Sequence, residues 1–240
     1  MKGKAYITGA DRGLGLGLVT TLLEQKYKVY AGSYMPEWHE LKEVADQYKE
    51  DLVIIPLDVS NDESVNKAAE KIKQDTKYLN IIINNAGSAR DRSGTIFEKQ
   101  YYEDIRSLLE INALGPLRVT QSALELLLNG GELKILVNIS SIAGSPALLT
   151  RVSQFGYTMS KAAVNTQSKL LHNNLKDQGV KVFAIHPGWM RSHLFGDINR
   201  MKDAPLEPID SARAIINLIH TRMEINDDIF MDYQGESLPW

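Results

Sequence analysis

The 240-residue chain contains no cysteine. That single absence removes disulfides, thiolate nucleophiles and cysteine metal sites. No window of about 18 apolar residues occurs, so no membrane-spanning helix is expected. The apolar stretch near the first residue is too short for a signal h-region. No long basic run is present and the net charge is −3, which argues against nucleic acid or an anionic membrane as the main partner. The five histidines, His39, His172, His186, His193 and His220, fall at no ligand spacing, and no acidic cluster accompanies them, so no metal site is expected. Linkers, repeats and low-complexity segments are also missing. What remains, 43% apolar and 24% charged residues, fits a folded cytoplasmic protein with one core.

Strand-like and helix-like segments alternate along the chain. Strands are predicted over Lys4–Thr8, Lys28–Ser33, Leu52–Leu57, Leu79–Asn84, Lys134–Ile139, Val180–Ile185 and Asp228–Met231. Helices are predicted over Leu14–Gln25, Glu37–Tyr48, a stretch capped at Ser60–Asp62 and ending near Asp75, about Glu98 to Leu128, Tyr157–Asp177 and Asp210–Thr221. In the second helix Trp38, Leu41, Ala45 and Tyr48 share one face. Leu79–Asn84 is an almost unbroken apolar run, as expected of a strand covered on both faces. The rhythm predicts an α/β fold, a doubly wound sheet of about seven mostly parallel strands with helices on both faces, in a single domain over 1–240. Residues 189–209 are the least regular stretch, with Gly196, Pro205 and Pro208, and are read as a substrate lid.

Between the first strand and first helix stands Thr8-Gly9-Ala10-Asp11-Arg12-Gly13-Leu14-Gly15. Gly9 allows the tight turn, Gly13 lets a pyrophosphate approach the backbone, and Gly15 lets helix and strand pack closely. The helix N-terminus then offers free N–H groups to the negative charge. Strand before and helix after make this a dinucleotide-binding turn of Rossmann type rather than an ordinary connection. Tyr157 and Lys161, four apart near a helix start, share a face. A tyrosine with a pKa near 10 needs a neighbouring cation before it can exchange protons near neutrality, and the lysine supplies one.

The spacing Gly-x-x-x-Gly-x-Gly is followed in order by Asp58, Asn84-Asn85-Ala86-Gly87, Asn112, Asn138-Ile139-Ser140-Ser141, Tyr157-x-x-x-Lys161 and Pro187-Gly188. This ordered set resembles the short-chain dehydrogenase/reductase family. Gly13-Leu14-Gly15-Leu16-Gly17-Leu18-Val19 and the stretch 230–240 resemble its C-factor-like and sniffer-type carbonyl reductase branch. The resemblance implies an NAD(P)-dependent oxidoreductase that moves a hydride between the nicotinamide and a carbonyl or secondary alcohol. Tyr157 would be the acid/base, Lys161 would bind the nicotinamide ribose, Ser141 would hold the substrate oxygen, and Asn112 would position a relay water. Asp58 and the Val59 amide would hold the adenine. Asn85, Ala86 and Gly87 would pass the ribose. Pro187, Gly188, Met190 and Ser192 would meet the carboxamide or a phosphate. Ser141 stands farther before Tyr157 than the family spacing implies, the surplus falling in Pro146–Phe155 at the substrate mouth.

Cofactor choice is read at the end of the second strand. Gly32-Ser33-Tyr34 carries no acid to claim the ribose hydroxyls, and Arg12 offers charge to a 2′-phosphate, so NADP(H) is favoured with NAD(H) as the alternative. Ala147, Leu148, Leu149, Phe155, Trp189, Leu194 and Phe195 suggest a substrate with an apolar body. A homo-oligomer is compatible with the sequence. The competing readings are an NAD-dependent alcohol dehydrogenase and a C-factor-like signalling protein that binds dinucleotide without turnover.

Overall fold

A computed structural model describes residues 2–222, 224 and 227–240. Its sheet is built from β1 (Gly3–Thr8), β2 (Tyr27–Ser33), β3 (Leu52–Pro56), β4 (Ile81–Asn84), β5 (Ile135–Ile139), β6 (Lys181–His186) and β7 (Phe230–Asp232). The strands lie in the order β3-β2-β1-β4-β5-β6-β7, and all neighbours are parallel. The connecting helices are α1 (Gly13–Glu24), α2 (Glu40–Tyr48), α3 (Asp62–Asp75), α4 (Tyr102–Leu109), α5 (Gly115–Leu128), α6 (Phe155–Leu175) and α7 (Pro208–Thr221).

The chain winds outward from β1 to β3 and then resumes at β4 on the other side of β1. Such a reversal opens a crevice at the carboxyl ends of the two central strands, because the connections leave in opposite directions. The alternation of side chains along each strand feeds two cores. Ile81 and Ile83 pack with Leu18 and Leu22 of α1 and Ile215 of α7 on one face. Ile82 packs with Ala68 of α3 and Val119 and Ala123 of α5 on the other. Burying a leucine or isoleucine of this kind contributes about 1.5–3 kcal/mol. These layers hold the crevice walls from both sides.

Several predicted boundaries are corrected, three of them for a local reason. The helix expected from Glu98 begins at Tyr102, because the Glu98 carboxylate accepts the Thr95 amide at 2.7 Å and closes a turn instead. The same run is broken into α4 and α5 by a π-turn over Glu110–Leu114 that contains Asn112. The second helix begins at Glu40, so Trp38 lies outside it, its ring under the Arg12 guanidinium at 4.3 Å. Pro208, with no N–H to leave unpaired, opens α7 two residues early, and the irregular stretch therefore ends at Glu207. The cap at Asn61 is as expected, with Oδ1 accepting the Ser64 amide at 2.9 Å.

Candidate active site

The crevice is a cleft of about 490 Å³. Of the residues singled out in the sequence, Gly9, Asp11, Arg12, Gly13, Leu14, Gly15, Tyr34, Asp58, Val59, Asn85, Ala86, Gly87, Tyr157, Lys161, Pro187, Met190 and Ser192 line it. Thr8, Ser33, Asn112, Ser141 and Gly188 stand outside that lining.

The phosphate-binding half is shaped by backbone. Arg12 precedes α1 in an extended conformation, no side chain caps the helix, and no acid sits in its first turn. The first N–H groups of α1 are thus left for an anion. Gly13 has φ +55, and a Cβ there would meet nothing within 4 Å, which is the open approach a pyrophosphate needs. A Cβ on Gly15 would instead collide with the Gly9 carbonyl oxygen, so this glycine serves close packing of the turn. The turn is fastened to the loop after β4. Thr8 Oγ1 accepts the Asn85 and Ala86 amides at 3.1 and 3.0 Å, and Asn85 Nδ2 donates to the Thr8 and Gly9 carbonyls at 2.9 Å. Thr8 is buried by this work and joins the two loops from behind.

At the other end of the cleft, Asp11 is nearly buried. Its carboxylate accepts the Tyr34 and Met35 amides at 3.1 and 3.2 Å and the Ser33 hydroxyl. Asp11 therefore braces the loop after β2, and the Ser33 hydroxyl proton is already committed to it. Ser33 faces an adjoining cavity of about 380 Å³, together with Tyr34, Trp38, Lys42 and Asp58. Arg12 Nη1 lies 2.8 Å from Met35 Sδ, and no carboxylate among the described residues pairs with Arg12. Burial, followed by the nearby Arg90 charge, holds its pKa below the usual arginine value. Asp58 Oδ1 accepts the Ser60 amide and hydroxyl at 2.9 and 2.6 Å.

The reactive half gathers around the start of α6. Tyr157 is buried, and burial raises its phenol above the ordinary value; the hydrogen bond with Ser141 and the charge of Arg151 oppose that rise. Lys161 Nζ donates to the Ile139 carbonyl at 2.7 Å, and burial holds its pKa down to about 8. Its ammonium lies 6.0 Å from the Tyr157 ring centroid. Of the two adjacent serines, Ser141 bonds Tyr157, while Ser140 Oγ turns away to Asn165.

The Asn112 side chain bonds the loop after β4 and the start of α6. Oδ1 accepts the Ser88 amide at 2.8 Å, and Nδ2 donates to the Ser88 carbonyl at 2.8 Å and to Ser160 Oγ at 2.9 Å. The π-turn aims it across to the loop after β4, which it locks against α6. Asn84 acts likewise, donating to Asn138 Oδ1 at 2.8 Å and Thr120 Oγ1 at 3.0 Å, and so ties β4 to β5 and α5.

The lining also holds residues to which the sequence reading gave no part in the site, among them Ser88, Arg90 and His193. Each stands one to three positions from a motif residue, so their place was signalled only by adjacency. The expected mouth residues divide. Leu194 lines the cleft, and Leu194 and Phe195 pack beside Tyr157, whereas Leu148, Leu149 and Trp189 are exposed. Among the described residues no helix is long and apolar enough to cross a membrane, and no group of three metal-ligating side chains is found.

Residues 4–203 match the family model described as short chain dehydrogenase. An uncharacterised oxidoreductase of Schizosaccharomyces pombe is 31% identical over 98% of this chain and 97% of its own. The sniffer carbonyl reductase of Drosophila melanogaster has a TM-score of 0.90 and 28% identity, with both chains wholly covered. An NADPH-bound carbonyl reductase from chicken fatty liver has a TM-score of 0.87 and 26% identity over 99% of this chain and 98% of that one.

Proposed function

The chain belongs to the short-chain dehydrogenase family of NAD(P)-dependent oxidoreductases, and from that premise we propose that it is an NADPH-dependent carbonyl reductase acting in the cytoplasm on small molecules with an apolar body. The observation that carries the reading is the cleft itself, which runs from an uncapped helix N-terminus to a buried Tyr157–Ser141 pair beside Lys161. A protein that only held a dinucleotide would have no use for a phenol at that end.

Gly13, the free N–H groups of α1, Arg12, Asp58, Val59, Ala86, Gly87, Met190 and Ser192 would hold the dinucleotide. The bound nicotinamide supplies the hydride. Ser141 orients the substrate oxygen, and Tyr157 Oη gives its proton to the developing alkoxide. The Lys161 ammonium offsets the negative charge this leaves on the phenolate, which is worth most in a buried site. The Asn112 side chain holds the floor beneath them through Ser88 and Ser160.

NADPH is preferred over NADH in this reading because Arg12 has no carboxylate partner and no acid ends β2. Arg12→Ala is expected to weaken NADPH by about ten- to a hundredfold in Kd, the worth of one hydrogen bond to a charged group, and to leave NADH nearly unchanged. Fluorescence titration of both cofactors at one ionic strength measures this. Equal weakening of the two, or a wild type that prefers NADH, would transfer the proposal to an NAD-dependent alcohol dehydrogenase.

The stretch 189–207 is the substrate lid of this proposal. Its His193 ring meets Trp38 edge-on at 4.9 Å, and its Leu194 carbonyl accepts the Ala89 amide at 3.0 Å, so it touches both rims of the cleft. Trypsin cleavage after Arg191 and Lys202 is expected to slow in saturating NADPH. Identical cleavage rates with and without cofactor would remove the closing role.

A further inference from the structure

Immediately after Ser141 the chain makes a 3-10 turn, Ile142–Gly144, packed against α6. Ser141 Oγ accepts the Ala143 amide at 3.1 Å and its carbonyl accepts the Gly144 amide at 2.9 Å. The turn therefore fixes the rotamer of the serine that bonds Tyr157. Its far end is held by a part of the chain remote in sequence. Ser145 is wholly buried and donates through Oγ to the Pro239 carbonyl at 2.6 Å. The Ala147 amide donates to the Trp240 oxygen at 3.3 Å. Among the described residues, the hydrogen bonds that tie 145–153 to any part of the chain beyond 141–154 both end on Pro239 and Trp240.

The anchor is itself firm. The Trp240 ring stacks on Phe230 of β7 at 5.1 Å, the Leu238 amide donates to the Phe230 carbonyl at 2.9 Å, and Ser237 pairs antiparallel with Met231. A rigid sheet edge thus reaches through Trp240 and Pro239 to a loop that would otherwise be loose. That loop carries exposed Leu148, Leu149 and Val152, together with Arg151, whose charge acts on Tyr157. A loop bonded to its surroundings at so few points opens at low cost, and losing one anchor frees most of it.

We propose that Trp240, acting through its contact with the 145–149 loop, is a positioning and specificity-determining residue. It holds the wall against which the apolar body of a carbonyl substrate rests, and so decides how bulky a carbonyl is accepted at Tyr157. The inference rests on the carbonyl reductase reading. The nucleotide-binding half of the cleft lies on other elements, so cofactor affinity is independent of this anchor.

The test compares Trp240→Ala and Trp240→Phe with wild type, using a series of carbonyl compounds from small to bulky. Trp240→Ala is expected to raise KM for the bulky compounds about tenfold, with kcat and NADPH Kd within about threefold of wild type, the pattern of lost substrate binding rather than lost chemistry. Trypsin cleavage after Arg151, followed in saturating NADPH, is expected to quicken about fivefold in the same variant, because cleavage tracks local opening. Trp240→Phe keeps a ring on Phe230 and is expected to restore both. Unchanged KM or unchanged cleavage in Trp240→Ala overturns the proposal, as does a lowered melting temperature without either effect. A wild type that binds NADPH but reduces no carbonyl overturns the carbonyl reductase reading instead, which separates the two failures.

Discussion

A Tyr157→Phe variant is expected to lose about three orders of magnitude in kcat, the middle of the range for general acid–base catalysis, while its NADPH Kd stays within about twofold of wild type. The substitution removes one oxygen and keeps the ring that packs against Leu108 and Ala143. Folding and cleft shape should therefore survive. The lost atom is the one bonded to Ser141, at the inner end of the cleft. Without it the developing alkoxide finds no positioned proton. Steady-state reduction with NADPH, read by absorbance, gives kcat, and fluorescence titration gives Kd. Turnover within a few-fold of wild type would remove Tyr157 as the acid, and a collapse of NADPH binding would show that the phenol holds cofactor rather than moving a proton.

Lys161→Met should be damaging in two ways. Lys161 is buried with its ammonium 6.0 Å from the Tyr157 ring centroid, and the proposed function has it serve both Tyr157 and a ribose. Met has a similar length and no charge, so packing is largely kept. The expected result is a fall in kcat of about a hundredfold or more together with a rise in NADPH Kd of about tenfold. Unchanged NADPH affinity would remove the ribose role. The wild type carries a matching pH signature. Burial lowers the Lys161 pKa to about 8, so the ammonium is present below that value and lost above it. For carbonyl reduction, kcat/KM is expected to be level below pH 8 and to fall above it, since this ratio reports groups of the free enzyme. A level profile up to pH 10 would show that the lysine charge does not assist the tyrosine.

The order of strands and helices was legible because strands show as short apolar runs and helices as apolar residues recurring at a period near 3.6. Ile81–Ile83 could be read as a doubly covered strand, and Leu14, Leu18 and Leu22 as a helix face, before any contact was known. Boundaries were less legible wherever a side chain bonded its own neighbourhood. Glu98 could have opened a helix, but it closes a turn on Thr95. Trp38 fits the helical period of Leu41 and Ala45, but a guanidinium 26 positions earlier in the chain offers its ring a better partner.

The site divides along the same line. By itself the sequence determined that a glycine turn stands between strand and helix, that a tyrosine and a lysine share a helix face, and that no cysteine takes part. These are local facts, set by spacing within a few residues. Only the tertiary structure decided that the Asn112 side chain is spent on Ser88 and Ser160, that Ser33 is claimed by Asp11, and that Arg90 stands near Arg12. It also decided that burial alone raises Tyr157 and lowers Lys161, and that residues 239–240 hold the loop behind Ser141. The physical reason is that a hydrogen bond or a desolvated charge depends on which groups lie within a few ångströms and on how much water is excluded, and both are set by the packing of segments far apart in the chain.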